Sequence, residues 1–122
     1  MSNPKQFEVL EEQLDTLAKR RQVGKAPSFN LLDQYYELLI DYFTSINDID
    51  ALEQIENQPL KIHPVNIEDR LSYIQQRKHH YMGYQQMKTL KQELIKMHAA
   101  YRVRFQMKNN TNNTTSETSN LE

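Results

Sequence analysis

The chain has 122 residues, a formal net charge of −1 and no cysteine. This length supports about one domain, and the lack of cysteine excludes a disulfide-stapled secreted fold, a thiolate metal site and a cysteine nucleophile. The first twenty residues lack the apolar stretch of a signal peptide, and no apolar run is long enough to cross a bilayer. We therefore expect a cytoplasmic protein that does not enter a membrane.

Charge is distributed unevenly between the two halves of the chain. Residues 1–60 contain five Lys and Arg against eleven Asp and Glu, whereas residues 61–122 contain ten against five. The near-neutral whole gives no reason for a general attraction to nucleic acid. The asymmetry is the one expected of helices that pair with each other within a single chain.

Two amphipathic helices are predicted in the first half. Helix 1 runs from Pro4 to Gln22, because Asn3 is a good N-cap and proline suits the first helical position. Helix 2 runs from about Phe29, capped by Ser28 or Asn30, to Ile46. Its apolar positions cover nearly half of the helix circumference, so it needs more than one neighbour and should lie at the centre of the core. These positions are Leu31, Leu32, Tyr35, Leu38, Leu39, Tyr42, Phe43 and Ile46.

A short helix and an extended connector are predicted next. Apolar residues recur every three positions after helix 2, at Ile49, Leu52 and Ile55. Steps of three rotate away from the helix 2 face, so a separate helix is predicted over residues 49–57, capped by Asn47 or Asp48. Two prolines, Pro59 and Pro64, then bracket the extended connector.

The remaining helical pattern is too long for one helix in a small domain. It starts after Asn66, a predicted N-cap, and continues to about Lys108. An unbroken helix of that length would span about 63 Å, and the shorter helices could not cover its apolar stripe. The only glycine in this pattern is Gly83, so a tight turn is predicted over residues 80–84. Helix 4 then runs from about Tyr84 to Lys108, with a regular apolar seam.

These elements predict an all-α fold. Four amphipathic helices with mostly short connections are typical of an up-down-up-down four-helix bundle, here with an extra short helix in the helix 2–3 connection. The bundle domain is predicted to cover residues 1–108. Residues 109–122 are rich in Asn, Thr and Ser and are predicted to be a disordered tail. We interpret the last two residues, Leu121 and Glu122, as derived from an expression vector.

Three runs of residues resemble a known family. They are Asn-Pro-Lys-Gln-Phe at residues 3–7, Asn-Leu-Leu-Asp-Gln-Tyr-Tyr at residues 30–36 and His-Pro-Val at residues 63–65. On these runs the chain resembles the YppE-like proteins, a small family from Bacillus-type Gram-positive bacteria with no assigned function. The resemblance covers about residues 1–110. It implies a cytoplasmic helical bundle and brings no catalytic or binding residues with it.

No motif for catalysis or metal binding is present in the sequence. A carboxylate-bridged di-iron bundle needs Glu-x-x-His pairs, but Glu93 precedes His98 by five positions and Glu68 precedes His79 by eleven. No serine lies in a glycine-rich elbow, and the two glycines stand alone, so there is no phosphate-binding loop. We predict no catalytic residue, no metal site, no cofactor and no enzyme activity.

Three further features have structural interpretations. The acidic run of helix 1 is interpreted as a solvated face. Lys78 lies on the apolar stripe of helix 3, where its stem can cover the core while the ammonium group reaches water; the alternative is a buried lysine with a shifted pKa, which would mark a site. His98 borders the helix 4 stripe and is predicted to be a hydrogen-bonded histidine at the edge of the core. The acidic run comprises Glu8, Glu11, Glu12 and Asp15.

The predicted helix 3–4 turn carries cations interleaved with aromatic residues. Such a cluster suits an anionic partner, including phosphates and stacked bases. The alternative, which we favour, is electrostatic pairing with the acidic helices 1 and 2 of the same chain. The candidate interaction patch consists of Arg77, Lys78, His79, His80, Tyr81, Tyr84 and Lys88.

Three hypotheses for function follow. The leading one is a non-enzymatic, monomeric module that presents a helix face to an unknown protein partner, because the apolar pattern is complete and no convergent polar pocket is evident. The second is weak binding of nucleic acid or another polyanion through the helix 3–4 turn, which would weaken as salt is added. The third is a small-ligand carrier or an enzyme, which requires a polar-lined cavity.

Overall fold

The computed structural model describes the backbone of residues 4–56 and 59–121, and the side chains of residues 4–55 and 59–104. This part of the chain contains four α-helices and no strand, so the predicted all-α class is confirmed for it. None of the helices searched there is both long enough and apolar enough to span a bilayer. The helices are α1 (Pro4–Lys19), α2 (Ala26–Ile46), α3 (Ile67–Arg77) and α4 (Tyr81–Leu121), with a 3₁₀ helix over Leu52–Glu56 between α2 and α3.

Helix α1 begins at the predicted residue and ends three residues earlier than predicted. Its apolar stripe faces the core, and Phe7 and Leu14 are fully buried. The helix stops at Lys19 because the chain turns sharply at Arg21, whose φ of 58° lies in the left-handed region. The predicted cap, Asn3, lies outside the described residues.

Helix α2 begins earlier than predicted, and its predicted caps are wrong. Lys25 is the N-cap residue, and Pro27 occupies the first turn, where a missing N–H costs nothing. Ser28 is buried inside that turn: its Oγ donates to the Lys25 carbonyl at 2.7 Å and accepts from the Gly24 N–H at 3.0 Å. Gly24 itself has a φ of 100°, a conformation that favours glycine. The serine thus fixes the loop that precedes the helix.

Helix α2 packs against both α1 and α4. Its broad apolar face supplies much of the core, as the sequence pattern predicts for a helix with two neighbours. Rings from α1 and α2 meet there: Phe7 of α1 lies edge-on to Tyr35 and to Tyr42 of α2, with centroids 5.3 and 5.9 Å apart. These contacts fix the relative positions of α1 and α2.

The end of α2 is held to the connector by a buried amide. The Asn47 Nδ2 donates to the Phe43 carbonyl at 3.0 Å, and its Oδ1 accepts from the Ile62 N–H at 2.7 Å. The sequence predicts Asn47 or Asp48 as the cap of a separate short helix over residues 49–57. The structure instead has a 3₁₀ helix over Leu52–Glu56, and Asn47 fastens the connector to α2.

The turn between α3 and α4 lies earlier than predicted, at residues 78–80, and Gly83 lies inside α4. A Cβ atom at Gly83 would lie 1.7 Å from the Arg77 carbonyl oxygen. The glycine is therefore required by the close approach of α4 to the end of α3, and not by a turn conformation. The predicted start of helix 4 at Tyr84 is wrong for this reason.

Helix α4 buries the predicted apolar seam at Met87, Leu90 and Leu94. Its backbone is helical through to Leu121, which includes most of the segment predicted to be disordered. Side chains from Phe105 onward and residue Glu122 lie outside the described residues. The domain boundary at residue 108, the disordered tail and the vector origin of the last two residues stay predictions.

Candidate functional site

The seven residues of the candidate interaction patch fall into three groups: two bind Asp33, two bind Asp15 and three are exposed. Two of its residues bind one carboxylate of α2: the Lys78 Nζ lies 3.2 Å and the His79 Nε2 lies 2.6 Å from the Asp33 Oδ1. The hydrogen bond to His79 holds the pKa of Asp33 below its ordinary value. The Lys78 ammonium also lies over the Tyr36 ring, and the His79 ring stacks on Phe29 with centroids 4.5 Å apart. Lys78 is half-buried, so its stem covers apolar surface while its charge meets Asp33.

Two further patch residues bind Asp15 of α1. The Tyr84 hydroxyl donates to the Asp15 Oδ1 at 2.8 Å, and the Lys88 Nζ lies 3.2 Å from the same oxygen. Tyr84 is fully buried. Its burial, and then its hydrogen bond to Asp15, raise its pKa far above the ordinary value, so the phenol stays protonated at neutral pH.

The other three patch residues, Arg77, His80 and Tyr81, are exposed. The Arg77 guanidinium lies over the exposed Tyr73 ring at 5.7 Å. The structure therefore places four of the seven residues against carboxylates of α1 and α2 and leaves three at the surface. Contacts within the chain account for the positions of Lys78, His79, Tyr84 and Lys88.

A buried polar cluster that the sequence reasoning missed joins α1, α2 and α4. The Glu11 Oε2 accepts a hydrogen bond from the Tyr35 hydroxyl at 2.7 Å and lies 2.7 Å from the Lys91 Nζ. Lys91 is only 8% exposed. Burial, and then the bond to Glu11, raise the pKa of Tyr35 far above its ordinary value. The cluster holds its charges in a pair, which suits a structural role.

The spacing of Glu11 and Lys91 from nearby apolar residues indicates that both lie on buried helix faces. Glu11 follows Phe7 by four positions and precedes Leu14 by three, so it lies on the buried face of α1. Lys91 has the same relation to Met87 and Leu94 on α4. The interpretation of the acidic run as a solvated face is therefore wrong for Glu11, whereas Asp15 stays about half exposed while it binds Tyr84 and Lys88. Glu11 and Lys91 are charged residues at positions where the helix spacing predicts apolar side chains.

The outer face of α2 is flanked by two shallow grooves, which together we call the acidic groove. Apolar side chains form part of each lining, and Glu37 and Asp41 belong to both. Neither lining contains a Lys, Arg or His residue. The groove on the α1 side is lined by Gln6, Val9, Leu10, Gln34, Glu37, Leu38 and Asp41. The groove on the 3₁₀-helix side is lined by Tyr36, Glu37, Ile40, Asp41, Thr44, Asp50, Ala51, Leu52 and Glu53.

His98 lies at the edge of the core, as its position beside the helix 4 stripe predicts, and the hydrogen bond predicted for it stays a prediction. It is half-buried, and its ring meets the Tyr42 ring edge-on with centroids 6.3 Å apart. Burial, and then the nearby Arg102 charge, lower the pKa of His98. Within the residues searched, no group of three or more His, Asp or Glu side chains is arranged to hold a metal ion.

Comparison with known proteins gives one match. A family model described as YpoC-like protein matches residues 3–106, which is most of the chain. It does not support the YppE-like name or the Bacillus-type origin that the resemblance implied. No curated protein and no solved structure matches the sequence.

Proposed function

Because the chain belongs to the YpoC-like family, whose description states no activity, we propose a function from the geometry of its surface. The protein is a non-enzymatic interaction module whose acidic groove binds a basic, amphipathic helix of a partner protein. In this proposal the four helices form an up-down-up-down bundle that acts as a monomer in the bacterial cytoplasm.

The observation that carries the proposal is the composition of the acidic groove. Glu37 of α2 and the carboxylates of the segment around the 3₁₀ helix lie beside apolar side chains, and no Lys, Arg or His lies among the lining residues. An amphipathic helix binds by placing its apolar face in such a groove, and Lys or Arg residues at its edges would meet the carboxylates. A cluster of like charges also speeds the encounter with an oppositely charged partner.

The ion pairs elsewhere in the chain support the same conclusion. Glu11, Asp15 and Asp33 each bind a lysine of the second half of the chain. These three carboxylates are therefore neutralised within the molecule. Glu37 on α2, with Asp50 and Glu53 beside the 3₁₀ helix, is exposed and gives this outer face negative charge.

The groove itself offers apolar contact as well as charge. Val9 is 60% exposed, and the partly buried Leu10 and Leu38 lie beside it in the α1-side lining. A helix with apolar residues on one side would cover this strip. A purely polar basic peptide would gain only the weaker, screened attraction between exposed charges.

A peptide titration tests the proposal. The probe is a labelled helical peptide of Leu and Lys with all leucines on one face, and fluorescence anisotropy measures its dissociation constant. Glu37→Lys places a positive charge in both linings and should weaken binding about tenfold or more. Glu12→Lys makes the same charge change on exposed α1 surface outside both linings, and it should alter binding by about twofold or less.

Two outcomes would contradict the proposal. The first is an equal loss in the two variants, or equal binding of a scrambled peptide of the same composition, because either result would mean diffuse charge attraction. The second is binding of a single-stranded or duplex DNA probe that is lost in Arg77→Gln. That result would favour polyanion binding at the α3–α4 turn instead.

A further inference from the structure

A second open site lies between the C-terminal end of α2, the connector and α4. We call it the basic cleft. It has a volume of about 710 Å³ and shares no lining residue with the acidic groove. Its lining comprises Pro4, Tyr42, Ser45, Ile46, Asp48, Lys61, Ile95, His98, Ala99, Tyr101 and Arg102.

The charges in this cleft do not balance. Lys61 and Asp48 form an ion pair, which neutralises the single carboxylate of the lining. Among the residues whose side chains are described, no carboxylate lies within ion-pair distance of Arg102. Burial, and then the charge of this guanidinium, lower the pKa of His98. The cleft therefore presents a positive charge that the described part of the chain does not neutralise.

The remaining walls are apolar or aromatic and are held in place. Ile46 and Ile95 belong to the partly buried layer that packs on the core. The Tyr42 ring is fixed edge-on between Phe7 and His98. Asn47 fastens the connector that carries Lys61, because its side chain binds the Ile62 N–H. These contacts preorganise the cleft, which reduces the entropy cost of binding.

We propose that the basic cleft binds a small amphipathic anion, with a carboxylate or phosphate group at Arg102 and an apolar body against Ile46 and Ile95. Arginine presents a planar set of donors that matches both anion types in two-point geometry. A pocket of this size with apolar walls and a few polar groups is typical of small-molecule sites. The inference is independent of the proposed partner groove, since the two sites have no residue in common.

The first test is an NMR titration of the full chain with labelled Ile methyl groups and His rings. The probes are sodium phenyl phosphate and sodium 4-phenylbutyrate, and 4-phenylbutanol is the neutral control. Binding of an anion should shift the Ile46, Ile95 and His98 signals, with an affinity about tenfold or more above that of the alcohol. It should also raise the pKa of His98, because it neutralises Arg102. The other titratable groups of the cleft are Tyr42, Asp48, Lys61 and Tyr101.

Matched variants complete the test. Arg102→Gln should weaken anion binding about tenfold or more, because it removes the charged donor. Arg104→Gln removes the same charge from exposed surface of the same helix outside the lining, and it should change the affinity by about twofold or less. The proposal is overturned if neither anion shifts the Ile46 and Ile95 signals. It is also overturned if the alcohol binds as tightly as the anions, or if the two variants lose equal affinity.

Discussion

The cations of α4 lie in two different environments. In the first half of the helix, Lys88 and Lys91 each bind a carboxylate of α1, and a tyrosine hydroxyl donates to that same carboxylate. In the second half, Arg102 lies beside His98, and no carboxylate within the described side chains pairs with it. One helix thus carries charges that join it to α1 and a charge that is open to a ligand.

This difference separates two uses of positive charge. A buried ion pair is costly to break, since removing one partner leaves the other charge without compensation. An exposed charge contributes little to stability and can be replaced at small cost. Substitution of Lys91, whose ion pair with Glu11 is largely buried, should therefore affect folding, and substitution of Arg102 should affect binding.

The largest expected effect tests how tightly the first half of α4 is packed. Gly83→Ala would place a Cβ atom 1.7 Å from the Arg77 carbonyl oxygen, so the backbone of α3 or α4 must shift. We expect a loss of about 3 kcal/mol in the free energy of unfolding, measured by urea denaturation. Gln92→Ala, at an exposed position of the same helix, should change it by less than about 0.5 kcal/mol. A neutral Gly83→Ala would show that the close approach is not required.

The next prediction compares one substitution in the first half of α4 with one in its second half. Lys91→Met leaves the Glu11 carboxylate, which is 18% exposed, with Tyr35 as its remaining partner. We expect a loss of about 2–3 kcal/mol, and adding Glu11→Gln should recover part of it by removing the uncompensated charge. Arg102→Met should cost less than about 0.5 kcal/mol in the same urea measurement. Equal losses from Lys91→Met and Arg102→Met would remove the distinction between the two halves.

The smallest effect concerns pH. The pKa of His98 in the folded protein lies below its ordinary value of 6.5. Between these two pKa values the unfolded chain therefore binds more protons at His98 than the folded chain does. Stability should therefore fall as the pH drops below 6.5 and level off below the folded pKa, by less than about 1 kcal/mol in total.

Urea unfolding at about pH 8 and about pH 5 measures this change. His98→Gln should reduce the difference between the two values, and Arg102→Gln should raise the pKa of His98 in an NMR titration. Asp33 of α2, which binds Lys78 and His79 just before α4, is the contrasting case. Its pKa is lowered, so its contribution to stability is lost only at pH values below its ordinary 3.8. A pH response that is the same in His98→Gln as in the parent protein would disprove the assignment.

Much of the helical pattern could be predicted from the sequence, because apolar spacing follows directly from helix geometry. The start of α1 at Pro4 and the end of α2 at Ile46 agree with the predicted residues. The start of α4 could not be derived in this way. Gly83 was interpreted as a turn residue, but its role depends on the distance to Arg77, a contact between two elements that spacing alone does not contain.

The candidate site was predictable only in part. The composition around residues 77–88 indicated a cationic, aromatic cluster, and the charge asymmetry indicated partners within the chain. The sequence could not show which cations would be exposed, because that depends on where Asp15 and Asp33 lie in three dimensions. The basic cleft was missed because its residues come from α1, α2, the connector and α4, which are distant in sequence.

The buried Asn47 amide has a consequence for the order in which the molecule assembles. The contacts of α1 with α2 and of α3 with α4 join neighbours in sequence, and such local pairs form quickly. Joining the two pairs requires the closure of a longer loop, whose entropy cost is paid before its contacts form. The hydrogen bond from the Ile62 N–H to Asn47 joins the later part of that connection to the end of α2. Docking one helix pair on the other therefore carries the entropy cost of ordering this connection, and the two hydrogen bonds of Asn47 hold part of it in the folded position.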